Sequence, residues 1–116
     1  LKKNGCLVIA DINANDFLFH YGKETYKKKI FFRQSYQNYY SEKGLKILLK
    51  QFNLQHIKTK FLQRYDYENN KNYIIKNNIT KKISSEINSK YFKYYYQNYL
   101  EKHGMSDYMI LTFKKN

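Results

Sequence analysis

A single cysteine, Cys6, stands in 116 residues. An internal disulfide is thereby excluded, which fits a reducing compartment and a cytoplasmic location. Proline and tryptophan are absent altogether. Glycine is scarce, and Gly5, Gly22, Gly44 and Gly104 lie too far apart to make a glycine-rich loop for a phosphate or a nucleotide. No apolar run approaches the roughly 18 residues that span a membrane, so no membrane partner is expected. Lys2 and Lys3 lead into strand-like sequence without the small-residue cleavage site of a secretory signal. His20, His56 and His103 are scattered and, with Cys6, show no zinc spacing, so no metal is expected. The chain has no internal repeat, and its length suits one domain.

What remains is rich in Lys, Asn, Ile, Tyr and Phe. With 42% hydrophobic and 27% charged residues the composition is that of a globular chain. A formal charge of +13 points towards nucleic acid or an anionic surface. The same residue types, however, are those that AT-rich codons supply. Arg33 and Arg64 are the only arginines, whereas nucleic-acid readers favour the arginine fork. Most of the charge is therefore read as compositional, and nucleic acid is not the expected partner. A lysine-coated surface still attracts phosphate-bearing ligands.

"CLVIADI", Cys6 to Ile12, is a continuous apolar run ending in an acid, as in a strand buried on both faces. Cys6 is accordingly expected to be buried and inert. "SEKGLKILLKQFNL" reads as a helix capped by Ser41, with Leu45, Leu48, Leu49 and Phe52 on one stripe and Asn53 as a left-handed stop. Leu54 to Tyr65 alternates like a strand with one wetter face. Residues 66 to 83 read mostly as loop, with room for a short helix. A second helix follows, capped by Ser84 or Ser85 and stopped by Gly104, with Phe92, Tyr95, Tyr96, Tyr99 and Leu100 as its apolar stripe. On that spacing the Tyr91–Tyr99 run is core rather than a base-stacking platform. Asp107 to Phe113 closes the chain as a third strand.

Taken in order, these segments resemble the C-terminal half of a class I S-adenosylmethionine-dependent methyltransferase. "LKKNGCLVIADINANDFL" is similar to the family's "LKPGG-strand-acid-x-Asn" segment, with Lys3 and Asn4 in place of Pro-Gly. "YYSEKGLKILLKQFNL" resembles the helix after it, with Asn53 where glycine is usual. "FLQRYDYENN" looks like the "QRY" segment of members found in polysaccharide or natural-product clusters, and "GMSDYMILTFKK" resembles the closing strand. The acidic Gly-x-Gly-x-Gly cofactor signature is not in this chain.

The resemblance implies an α/β fold, in which residues 1–116 form the C-terminal portion of one Rossmann-like methyltransferase domain. Cys6–Ile12 would be strand 5, Leu54–Tyr65 strand 6 and Asp107–Phe113 the antiparallel strand 7. The family's sheet order is 3-2-1-4-5-7-6, and ligands bind beyond the carboxyl ends of its parallel strands. S-adenosylmethionine would be bound mainly by the N-terminal half, expected upstream, and the fragment alone would be inactive. The methyl acceptor would be a small molecule or a sugar-type substrate.

Two long connections, Asp11 to Tyr40 and Arg64 to Ser106, would form a helical cap over the substrate rim. Its aromatic residues are Phe17, Phe19, Tyr21, Tyr26, Phe31, Phe32, Tyr39, Tyr65 and Tyr73. Asp11 and Asn13 end strand 5 and are placed to bind substrate or to cap the next helix. Arg64 and Tyr65 end strand 6. Arg64 is placed to hold a phosphate or carboxylate, as on a nucleotide sugar, or to pair with Asp66 or Glu68. No catalytic residue stands out; His20 and Tyr21 lie where a general base could reach the acceptor. His56 and His103 are read as structural. Two other readings stand beside the enzyme: a small basic nucleic-acid-binding module, and a subunit without a cofactor site that pairs with a complete partner. The edge of strand 5 would be left open in an isolated half-sheet, so poor solubility or oligomerisation is expected.

Overall fold

A computed structural model describes residues 1–28, 38–71, 74 and 90–116. The elements run β1 (Cys6–Ile12), α1 (Phe17–Tyr21), α2 (Glu24–Tyr26), α3 (Glu42–Lys50), β2 (Leu54–Leu62), α4 (Tyr67–Lys71), α5 (Lys90–Lys102) and β3 (Tyr108–Lys115). They make a small α/β arrangement around a three-stranded antiparallel sheet of order β1-β3-β2. β3 pairs antiparallel with both neighbours, so β1 and β2 run in the same direction on either side of it.

The centre position of β3 follows from its sequence. Met109, Leu111 and Phe113 are fully buried on one face. They pack with Leu45, Leu49 and Tyr40 around α3 and with Leu7, Ile9, Leu54 and Phe61 of the flanking strands. α3 starts as expected: Ser41 Oγ accepts the Gly44 N–H at 3.1 Å, and Glu42 sits in the first turn. It ends before Phe52, which is 57% exposed, and Asn53 turns the chain at φ 57°. The Asn53 carbonyl accepts the Asn116 N–H, while Asn4 N–H donates to Lys115 and Lys115 N–H donates to Gly5, closing the lower end of the sheet.

Three expectations about the strands need correction. β1 is not buried on both faces. Leu7 and Ile9 face the core, but Val8 is 60% exposed and Cys6 is exposed, because α3 covers one face of the sheet. β2 stops at Leu62 rather than Tyr65: Gln63 and Arg64 leave the ladder to bond Glu101 and Asp107. β2 also carries a register shift between His56 and Lys58. Ile57 is thereby turned out to 52% exposure, and His56 lands opposite Phe113, its ring edge-on at 5.5 Å. β3 runs from Tyr108 to Lys115, shifted from the expected Asp107 to Phe113.

The second helix also differs. α5 is described from Lys90 to Lys102; its expected caps Ser84 and Ser85 lie outside the described residues. Leu100 is buried, but Tyr95 and Tyr99 are 67% and 59% exposed. The inward face of α5 is partly polar, since Gln97 donates to the Gln63 carbonyl and Glu101 accepts the Gln63 N–H. The helix packs on the end of a strand, whose backbone groups need partners, and so the tyrosines turn outwards. Gly104 stops the helix at φ 67°; a Cβ there would meet the Phe61 ring at 3.2 Å.

The two sheet faces give a direct test. Leu111→Ala should lower unfolding free energy by about 2–5 kcal/mol, whereas Val8→Thr on the open face should change it by no more than about 0.5 kcal/mol. Urea unfolding followed by circular dichroism measures both. Equal losses would contradict the one-sided core.

Candidate functional site

The upper end of the sheet, where β1 and β2 finish and β3 begins, gathers the buried polar side chains. Asn13, Asp16, Gln63, Ser106 and Asp107 are all buried there. Asn13 binds the β1 end to the chain entering β3. Its Nδ2 donates to the carbonyls of Gly104 and Ser106 at 2.9 Å each, and its Oδ1 accepts the Asn15 N–H at 2.9 Å. Its backbone N–H donates to Asp107 O at 3.1 Å. The amide is fully used inside the fold, so Asn13 positions the rim rather than reaching out to a substrate through free donors.

Gln63 plays the same part for β2. Its Nε2 donates to Tyr65 O at 2.9 Å, and its Oε1 accepts the Asp107 N–H at 3.1 Å. Asp107 in turn accepts the Arg64 backbone N–H at 2.8 Å and the Arg64 Nε–H at 2.6 Å. Arg64 thus pairs with Asp107, not with Asp66 or Glu68; Asp66 faces Lys93 instead. Burial pushes the Asp107 carboxyl up, against the bonds from Arg64.

A cleft of about 470 Å³ opens beside this end of the sheet. Asn13 and Asn15 form one wall, Ser41, Glu42 and Lys43 at the start of α3 a second, and Phe61 with Lys102, His103 and Gly104 the remainder. The local charge is positive. Burial works against ionised Glu42, but bonds from Lys46 Nζ at 2.6 Å and Thr59 Oγ1 at 2.7 Å outweigh it and hold the carboxyl below its ordinary range. Among the described residues no carboxylate pairs with Lys43 or Lys102. The cleft is therefore suited to an anionic or strongly polar ligand.

The structure brings His20 to the edge of this cleft. Asn15 Nδ2 donates to Gly104 O at 3.2 Å, which leaves Asn15 Oδ1 as the acceptor for His20 Nε2 at 3.1 Å. His20 then carries its proton on Nε2, and Nδ1 is its basic nitrogen. Tyr21 is 62% exposed and its ring lies 4.9 Å from that of Phe17. Asp11 is not part of the cleft wall; its Oδ1 accepts the neighbouring Ile12 N–H at 2.7 Å. His103, read from sequence as structural, lines the cleft and stacks 4.2 Å from Tyr99. Nothing in its local sequence marked it, since the cleft forms only when the end of α5 meets the start of α3. His56 lines a separate hollow at the opposite end of the sheet.

The short helices α1 and α2 are held by a buried acid. Asp16 caps α1 by accepting the Leu18 N–H at 3.1 Å, and Tyr26 Oη donates to its other oxygen at 2.5 Å. Around this pair pack Leu18, Phe17, Phe19, Tyr39 and Ile74. Phe31, Phe32 and Tyr73, also expected in the cap, lie outside the described residues. Asn70 Nδ2 and Tyr96 Oη lie 2.6 Å apart below the cap, and burial pushes the Tyr96 phenol up to about 12.

The four glycines lie apart: Gly5 precedes β1, Gly22 ends α1, Gly44 lies within α3 and Gly104 follows α5. Among the described residues no group of three or more His, Cys, Asp or Glu is placed to hold a metal ion. Among them, too, no helix is long and apolar enough to cross a membrane.

Burial, helped by the Asp107 charge, pushes the Asp16 carboxyl up to about 6 in spite of its hydrogen bonds. A carboxyl raised in the fold stabilises it in the protonated form. That contribution is complete below the ordinary 3.8 and is lost as pH rises through about 6. Asn at this position keeps the cap through its one oxygen, and its NH2 donates to Tyr26 Oη where the carboxylate accepted. Asp16→Asn should therefore raise stability at pH 8 by about 2–3 kcal/mol and leave it nearly unchanged at pH 4. Denaturant unfolding at the two pH values reads the difference; an equal effect at both would show that Asp16 does not titrate in the fold.

No family model matches this sequence, and no curated protein and no solved structure matches it significantly.

Proposed function

We propose that this chain is the acceptor-binding half of a class I S-adenosylmethionine-dependent methyltransferase. The observation that carries the reading is the sheet order. A reversed strand, β3, lies between two strands that run the same way, β1 and β2. In the family that the sequence resembles, strands 5, 7 and 6 have this order, with strand 7 reversed. The connections match in kind: α3 returns the chain from β1 to β2, and α5 leads it back into β3.

The chain's own residues do not hold the cofactor, because no glycine-rich turn is among them. S-adenosylmethionine, bound by the upstream half, would supply an electrophilic methyl group. The residues described above supply the other side of the reaction. Lys43, Lys102 and His103 line a cleft that favours an anionic small-molecule or sugar-type acceptor. His20, held beside the cleft by the Asn15 contact, is the candidate base for the proton of an acceptor hydroxyl or amine. Asn13 and Asn15 set the distance between this base and the cleft wall.

A second reading draws on α5. Tyr91, Tyr94, Tyr95 and Tyr99 are 59–77% exposed, and exposed aromatics on a basic protein can stack on unpaired bases. That reading requires binding of single-stranded nucleic acid that weakens steeply with salt.

The experiment uses the product of the complete gene. Calorimetry should show saturable binding of S-adenosylmethionine, and the sequence upstream should encode the acidic Gly-x-Gly-x-Gly turn. His20→Ala should leave that affinity unchanged and reduce methyl transfer by about a hundredfold or more. Absence of cofactor binding in the complete protein, together with salt-sensitive oligonucleotide binding, would replace this reading with the second.

A further inference from the structure

Arg64 is tied to a buried carboxylate at this end of the sheet, and the pairing leaves most of its donors unused. The buried Asp107 carboxylate takes the Arg64 backbone N–H on one oxygen at 2.8 Å and Nε–H on the other at 2.6 Å. Asp107 is only 4% exposed while the arginine side chain is 47% exposed. The ion pair therefore anchors the inner edge of the guanidinium and leaves its outer edge in solvent. A guanidinium has five N–H donors, of which the Asp107 contact uses the one on Nε. Among the described residues the Nη1 and Nη2 hydrogens have no acceptor. The Tyr108 ring lies 4.4 Å from the guanidinium carbon and the Tyr65 ring 5.6 Å from it. These contacts fix the plane of the fork and remove the rotamer freedom that a lysine would retain. The adjacent acid, Asp66, is engaged by Lys93 at 3.5 Å.

We propose that the outward edge of Arg64, walled by Tyr65 and Tyr108, is a receptor for a planar oxyanion, a carboxylate or a phosphate carried by the methyl acceptor. Two parallel N–H donors on Nη1 and Nη2 meet two oxygens of the anion. The tyrosine rings meet the apolar part of the molecule next to it. Asp107 already balances the Arg64 charge, so the receptor offers directed donors rather than a surplus positive charge. The proposal rests on the methyltransferase reading only in naming the acceptor as the owner of the oxyanion; the binding itself needs no cofactor.

The test is an NMR titration of the product of the complete gene, without S-adenosylmethionine and at physiological salt. Phenyl phosphate and phenylacetate serve as separate probes, read at the Arg64 side-chain nitrogens. A saturable shift with either probe is expected, and the stronger binder tells phosphate from carboxylate. Arg64→Lys keeps the charge and the pairing with Asp107 but loses the fork, and it should weaken binding about tenfold. Tyr65→Leu should weaken it by a smaller factor. If Arg64→Lys does not fold, the Arg64 signals of the unaltered chain still decide. No saturable shift with either probe, or unchanged affinity in a folded Arg64→Lys variant, overturns the receptor. A complete protein that binds S-adenosylmethionine but shows no Arg64 response retains the enzyme reading and loses this one. A response without cofactor binding does the reverse.

Discussion

The Asn13 amide fastens the end of the edge strand β1 to the turn that starts the central strand β3. It reaches two carbonyls more than ninety residues away in the chain and is fully buried while doing so. A buried amide that lost one of these bonds would incur about 1–3 kcal/mol of unpaired desolvation, so the register at this rim is narrowly set. Gln63 applies the same constraint from β2, bonding Asp107 and Tyr65 and receiving α5 on its backbone. The strand ends are thus tied together by polar groups, while the strand middles are held by Met109, Leu111 and Phe113.

This arrangement explains why the candidate site lies where it does. Strand ends expose carbonyls and N–H groups that must find partners. Side chains that satisfy them hold neighbouring groups in fixed places. Asn13 fixes Asn15, and Asn15 fixes His20. Asp107 fixes Arg64. The cationic cleft and the arginine fork are both consequences of satisfying the rim. The opposite end of the sheet is closed by backbone bonds among Asn4, Gly5, Asn53, Lys115 and Asn116 and carries no comparable polar cluster among the described residues.

Several features were legible in the residues themselves. The Ser41 cap, the inward Leu45 and Leu49 of α3, the left-handed Asn53 and the Gly104 stop depend on contacts within a few positions, and the structure has each of them, whereas Phe52, expected on the same stripe, is exposed. The site was legible only in outline. Arg64 and Asn13 stand at the expected strand ends, but their partners, Asp107 and the carbonyls of Gly104 and Ser106, come from the far end of the chain. The outward tyrosines of α5 were misread because helical spacing identifies a stripe, not which side of the helix the rest of the fold will cover. Polar Gln97 and Glu101 won the inward positions because a strand end offered them unpaired backbone groups.

The sequence by itself determined the elements and their order: strand, helix, strand, helix, strand, with caps and stops encoded by residues next to one another. It also determined a basic, aromatic chain with no metal spacing and no glycine-rich loop. Only the tertiary structure decided that a bulge turns His56 inwards and Ile57 outwards, and that Cys6 and Val8 face an open side. It alone joined Asn15, Lys43, Lys102 and His103 around one cleft and set His20 against Asn15. The reason is one of range. Caps and periodicity are settled by neighbours in the chain, whereas burial, pairing and charge environment depend on groups brought together from its two ends.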